Sequence, residues 1–182
     1  MDKFTILERF FGYSGFRPGQ EELIDGVLTG RDVFGIMPPG GGKSMCYQVP
    51  AMLLGGVTLV ISPLISLMRD QVSALTAAGV PAAYLNSTLT AAQHHAVFQN
   101  MLAGKYTLVY VAPERLTTPG FLHFAETVPI SLVVILACGV WASVVMGGSG
   151  CPYCSGKRAI PGETDLAPLH PELMEQWDFE RN

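Results

Sequence analysis

Charge is scarce in this chain of 182 residues: 14% are Asp, Glu, Lys or Arg and 49% are apolar, where an average soluble domain carries about 25% charged residues. So little charge on so apolar a chain excludes intrinsic disorder and favours a sheet buried on both faces. A basic surplus is missing as well. Eleven Lys and Arg stand against fifteen Asp and Glu, a net charge of -4, so a polyanion would have to be met by a local groove rather than by the field of the whole molecule. Cysteine is sparse. The four, at positions 46, 138, 151 and 154, are too few and too unevenly placed for a secreted disulfide framework and point to a reduced, cytoplasmic setting. The N-terminal residues MDKFTILERFFGY include acidic side chains and contain no apolar run that ends at a small-residue cleavage site, so no export signal is expected. The length suits one ordinary domain with a small appendage.

The longest gap in charge lies late in the chain. No charged residue occurs between Glu126 and Lys157, and residues 128–146 form a run of 19 without charge, just long enough for a spanning helix. Pro129, Gly139, the two serines and the β-branched content of that run suit strands instead, and no basic cluster flanks it. The expectation is no membrane contact, with an anchor at 128–146 as the alternative.

Periodicity supplies the organisation. Phe4, Leu7, Phe10 and Phe11 recur at helical spacing, GYSGFRPGQ interrupts, and a second helix starts near Gln20. RDVFGIM is a short strand, followed by the glycine cluster PPGGGKS and a helical segment to Leu54. GVTLVISP, PAAYLN, YTLVYVAPERL and ISLVVI read as further strands, with helices in LISLMRDQVSALTAAG and TAAQHHAVFQNMLAGK. Strands alternating with helices predict an α/β fold, a parallel sheet flanked by helices. Composition shifts near Ile135. Residues 1–135 hold eight basic and nine acidic side chains, whereas 136–182 hold three and six, both tryptophans and the CPYC turn. Two pieces are expected, 1–135 and 136–182.

Residues 37–44 read M-P-P-G-G-G-K-S and match the phosphate-loop pattern G-x-x-x-x-G-K-[ST] at all but its first position. Gly40, Gly41 and Gly42 let backbone N–H groups close around phosphates, Lys43 reaches the β and γ phosphates, and Ser44 holds Mg²⁺. Pro39 removes one N–H from the front of the loop. The segment FGYSGFRPGQEELIDGVLTGRDVFGIMPPGGGKSMCYQVPAMLL closely resembles the first motifs of the RecQ family of ATP-dependent DNA helicases. That resemblance implies a RecA-like nucleotide-binding fold, with ATP and Mg²⁺ as cofactors. It places Tyr13 against the adenine, with Arg17 and Gln20 on its edge. Where the family usually has Thr, this chain has Pro39. The likeness continues through VISPLISLMRDQV, LNSTLT and YVAPERL. It implies contacts from Ser62, Arg69, Ser87, Thr88 and Arg115 to the backbone of single-stranded DNA, which read no sequence. His94 and His95 read as surface residues, and Cys46 as a small buried apolar one.

After ISLVVI the family pattern stops. The resemblance calls for an Asp-Glu-Ala-His motif holding Mg²⁺ and orienting water, but the chain reads ISLVVILACGVW. The family's second motor half, with its arginine finger, has no counterpart in the sequence either, so a partner chain would have to supply it. Lys43 and Ser44 are then the catalytic candidates that remain. ATP binding is expected to survive, with hydrolysis severely impaired. A non-enzymatic nucleotide and DNA-binding module and a non-functional fusion are the alternatives. The tail CGVWASVVMGGSGCPYCSGKRAIPGETDLAPLHPELMEQWDFERN resembles one unit of a bacterial zinc-ribbon or treble-clef repeat family. It implies Zn²⁺ on Cys138, Cys151 and Cys154, although the family's Gly-His-x-Trp reads Gly139-Val140-Trp141 here and lacks the histidine.

Overall fold

The computed structural model describes residues 1–37, 40–137 and 140–144. Two short helices come first, α1 (Lys3–Phe11) and α2 (Gln20–Leu28). Asp2 caps α1 by accepting the N–H groups of Phe4 and Thr5, and Gly12 closes it in the left-handed conformation at φ 72°. From β1 (Val33–Gly35) the chain passes through the glycine loop into α3 (Met45–Leu54) and then β2 (Val57–Ile61). Next come α4 (Ile65–Ala77), β3 (Ala82–Leu85), α5 (Ala91–Leu102) and β4 (Leu108–Val111). A 3₁₀ turn, Pro113–Arg115, leads to α6 (Pro119–Thr127), β5 (Ile130–Ala137) and β6 (Val140–Val144).

The expected alternation of strand and helix is present from β1 to β5. The six strands form one sheet in the order β1-β6-β5-β2-β4-β3. β3, β4, β2 and β5 are parallel neighbours, whereas β6 runs antiparallel between β5 and β1. Sequence reading anticipated neither α6 nor β6. The sheet therefore continues beyond residue 135, where the composition changes.

Every residue of β2 and β4 is buried, which is why these strands read as unbroken apolar runs rather than alternating ones. The two-residue period then sorts their side chains between two cores. Val60, Tyr110, Leu132 and Val134 join Tyr47 and Ala51 of α3 and Met68 and Leu75 of α4. Leu59, Val109 and Val111 meet Met101 of α5 and Phe121 and Phe124 of α6 on the opposite face. A third cluster, Ile6, Leu7, Ile24 and Val49, fastens α1 and α2 onto α3. Among the described residues no helix is long and apolar enough to cross a membrane, and residues 130–137 form a strand of the sheet.

Candidate nucleotide and nucleic-acid site

In a sheet of this kind, ligands bind where loops leave the carboxyl ends of the strands. The glycine loop lies there, between β1 and α3. Its exit into α3 is tightly wound, with the N–H of Met45 donating to the Gly42 carbonyl and that of Cys46 to Lys43, both at 3.1 Å. Gly42 has φ 76°, and a Cβ built there would fall 2.5 Å from Gln20 Nε2. The left-handed backbone favours glycine, and any side chain here would also displace the Gln20 amide.

Gln20, 2% exposed, is what makes the space so tight. Its Oε1 accepts the Arg17 N–H at 2.8 Å, while its Nε2 donates to the carbonyls of Gly41 at 3.2 Å and Gly42 at 2.8 Å. Arg17 Nη1 donates to the Gly40 carbonyl. Lys43 Nζ donates to the Met37 carbonyl at 2.9 Å. The side chains expected to face a nucleotide thus hold the loop closed on itself. An incoming phosphate has to exchange with these carbonyls for the two cations.

A cavity of about 460 Å³ opens beside the loop, lined among others by Tyr13, Arg17, Gly42, Lys43, Ser44, Ser62 and Leu136. Among the described residues two cations and no carboxylate line it, a donor set that suits a phosphate chain. Glycines that admit close approach, a lysine and a serine hydroxyl together fit a nucleotide with Mg²⁺. A second pocket of about 180 Å³ adjoins, bounded by Leu7, Tyr13, Arg17, Gln20 and Ser44, among others. Tyr13 is half exposed at the boundary shared by the two. Leu136, 6% exposed, forms part of the larger cavity's wall, so the first residue after ISLVVI does face this space, and it is aliphatic.

Beneath the loop lies a polar layer that sequence reading missed. Tyr47 and Tyr110, both buried, bring their hydroxyls to 3.0 Å. Gln48 Nε2 donates to Tyr110 at 3.3 Å and to Gln71 Oε1 of α4 at 2.9 Å. Burial holds both phenols above the ordinary tyrosine range, so they stay protonated donors near neutral pH. The Cys46 thiol is buried and pushed up to about 11 by desolvation, which keeps it a protonated, apolar-like group.

The residues expected to meet nucleic acid divide into two sets. Ser62 is fully buried, and its hydroxyl accepts the Leu64 N–H at 3.2 Å where the chain turns into α4; it faces the phosphate-loop cavity rather than an open strand path. Arg69, Ser87 and Thr88 are exposed. Thr88 is fixed by buried Asn86, whose Oδ1 accepts both the Thr88 N–H at 2.9 Å and its hydroxyl at 2.8 Å. Arg115 is partly buried, and its Nε has no hydrogen-bond partner. It lines a pocket of about 180 Å³ with His94 and Thr118. His94 is more than a surface residue: its Nε2 lies 3.0 Å from the Asn86 carbonyl. Partial burial and the nearby Arg115 charge hold its pKa below 6.5. Asn86 and His94 were detectable only as a turn-forming Asn followed by a capped helix.

Pro39, Cys138, Cys151 and Cys154 lie outside the described residues. Among the described residues no group of three or more His, Cys, Asp or Glu side chains is placed to hold a metal ion.

Comparison with known proteins then decides the family. A profile of the DEAD/DEAH box helicase family matches residues 17–135. The chain belongs to that family. It is similar to the ATP-dependent DNA helicase RecQ of Pasteurella multocida, 48% identical over 130 residues, covering 71% of this chain and 21% of that protein. Against the ATP-dependent DNA helicase RecQ of Bacillus subtilis it is 47% identical over 132 residues, 72% of this chain and 22% of the other. With the ATP-dependent helicase SGS1 of Saccharomyces cerevisiae it shares 39% identity over 164 residues, 88% and 11% of the two chains. The chain spans about a fifth of the length of the bacterial RecQ proteins it matches. The resemblance to RecQ helicases and the RecA-like arrangement of a largely parallel sheet between helices both hold.

Proposed function

We propose that this DEAD/DEAH box helicase chain binds ATP with Mg²⁺ in the cavity beside residues 40–44 and contacts the backbone of single-stranded DNA through Arg69, Ser87, Thr88 and Arg115. The observation that carries the reading is the cavity itself, where Lys43, Ser44 and Arg17 converge with glycine backbone and no carboxylate among the described residues opposes a phosphate chain. Lys43 neutralises the terminal phosphates, Ser44 offers its hydroxyl to Mg²⁺, and Tyr13 and Gln20 bound the adjoining pocket in which an adenine would sit. Bound Mg²⁺ supplies charge neutralisation at the phosphates. The test is calorimetry of MgATP binding. Lys43→Ala is expected to weaken binding by about 1.5 to 3 kcal/mol, the worth of a charge-assisted contact, and equal affinity of the two proteins would sink the reading.

The same proposal places the chain in a cytoplasmic protein and has Zn²⁺ held through Cys138, Cys151 and Cys154. Purified protein is then expected to carry close to one equivalent of zinc by elemental analysis, lost when Cys151 and Cys154 are replaced by serine. An unchanged melting temperature on chelation would refute the metal. A second reading, a nucleotide and DNA-binding module without turnover, is favoured by Leu136 on the cavity wall. A motor half supplied by a partner chain is its rival, and ATPase activity that appears only on mixing two chains would distinguish them.

A further inference from the structure

Arg115 and His94 share a pocket of about 180 Å³ between the end of β3, α5 and the start of α6. The Arg115 Nε is buried and has no hydrogen-bond partner among the described residues, an arrangement that costs free energy until an acceptor arrives. No carboxylate is among the described lining residues. Glu114 of the same turn, and His123 and Glu126 of α6, stand outside the lining, so Arg115 is the one other charged group that shares the pocket with His94. The imidazole has a fixed tautomer. A carbonyl can only accept, so the 3.0 Å contact between His94 Nε2 and the Asn86 carbonyl puts the proton of the neutral ring on Nε2. Nδ1 then carries a lone pair and becomes a donor only when the ring is protonated. Burial and the Arg115 charge oppose that protonation in the free protein, whereas an anion held by both groups would favour it. Asn86 also ties the pocket to the expected path of the strand, because its Oδ1 accepts the N–H and the hydroxyl of Thr88.

We propose that this pocket is a phosphate subsite for single-stranded DNA, in which Arg115 and protonated His94 together hold one backbone phosphate, so that binding draws a proton onto His94 and strengthens as pH falls. The inference deepens the reading that Arg115 contacts the strand, and rests on it. The sign follows from linkage. Free His94 titrates below 6.5, and a bound phosphodiester raises that value, so the complex holds more protons than its parts and acid favours it.

The experiment measures binding of a fluorescently labelled oligothymidylate to the full chain by anisotropy at pH 7.5 and pH 5.5, at constant ionic strength because phosphate contacts are sensitive to salt. The wild type is expected to gain about three- to tenfold in affinity at the lower pH, tenfold being the full effect of a pKa raised by one unit. His94→Gln keeps a donor for the Asn86 carbonyl but cannot take up a proton, and is expected to lose most of that gain. Arg115→Gln is expected to weaken binding at both pH values and to shrink the gain as well. In the wild type, the His94 ring titration followed by NMR is expected to move to higher pH when the oligonucleotide is bound, and far less with inorganic phosphate. A gain kept in full by His94→Gln, or a His94 titration unmoved by DNA, would overturn the role of His94 and leave Arg115 standing. A movement as large with inorganic phosphate as with DNA would make this a site for free phosphate and overturn the strand contact. DNA binding that is absent, or indifferent to Arg115→Gln, would remove the reading beneath.

Discussion

Gly42 shows how one residue can join a local conformation to a ligand site. With φ at 76° and Gln20 Nε2 at 2.5 Å from where a Cβ would stand, Gly42→Ala strains the backbone and pushes the Gln20 amide off the loop carbonyls. The expected cost is about 1 to 3 kcal/mol of stability, read by denaturant unfolding, together with loss of nucleotide binding in calorimetry. Gln20→Ala leaves the backbone unstrained and releases the Gly41 and Gly42 carbonyls; it is expected to narrow the preference for ATP over GTP more than it weakens phosphate binding. The glycines, Lys43 and Ser44 were legible because their chemistry needs those residue types at that spacing. That Gln20 and Arg17 bind the loop itself was not, because a hydrogen bond across 20 or more residues leaves no periodic trace in a sequence. His94 carries a pH signature. Its folded pKa lies below the ordinary 6.5, so between the two values the unfolded chain binds more protons. This contribution is complete above about pH 6.5 and falls away as pH drops through the folded value. His94→Gln is expected to flatten that part of the stability curve, measured by unfolding at pH 7.5 and pH 5.

At the scale of elements, legibility followed burial. β2 and β4 were visible as strands because both faces are covered, so neither carries a polar interruption on its way through the sheet. The start of α5 is fixed by a cap that the sequence reading did not use. Thr90 accepts the Gln93 N–H at 3.3 Å, and Gln93 Oε1 accepts the Thr90 N–H at 2.9 Å, a reciprocal cap written in the order Thr-x-x-Gln. Thr90→Ala is expected to cost about 1 kcal/mol in denaturant unfolding, more at this terminus than Thr→Ala at an exposed helix interior. α6 escaped notice because TTPG has the composition of a turn. Pro119 in fact occupies the first helical turn, where its missing N–H has no partner to lose, and Phe121 and Phe124, three apart, set the buried face. β6 escaped because its sequence belongs to the segment after the composition shift, and its antiparallel pairing with β1 and β5 joins residues more than 100 positions apart on one side. No local signal specifies such a pairing.

For the whole molecule, the decisive contrast is between a cavity well supplied with phosphate-binding groups and the lack, among its described lining residues, of a carboxylate to activate an attacking water. Arg17, Lys43, Ser44 and Leu136 all line the cavity, and no carboxylate stands among its described lining residues. Phosphoryl transfer depends on positioning and charge compensation. The binding half of that requirement is met by Arg17, Lys43 and Ser44. The half that activates the nucleophile finds no carboxylate among the described lining residues, and Leu136 can neither accept a proton from water nor orient it. The expected behaviour is tight, Mg²⁺-dependent nucleotide binding with hydrolysis slower by several powers of ten than an intact site achieves. A single-turnover assay with labelled ATP, run with and without single-stranded DNA, measures it directly. Bound ATP is expected to persist in both arms. DNA-stimulated turnover of about 1 per second or faster, ordinary for enzymes as a class, would mean that some group other than those lining this cavity positions the water.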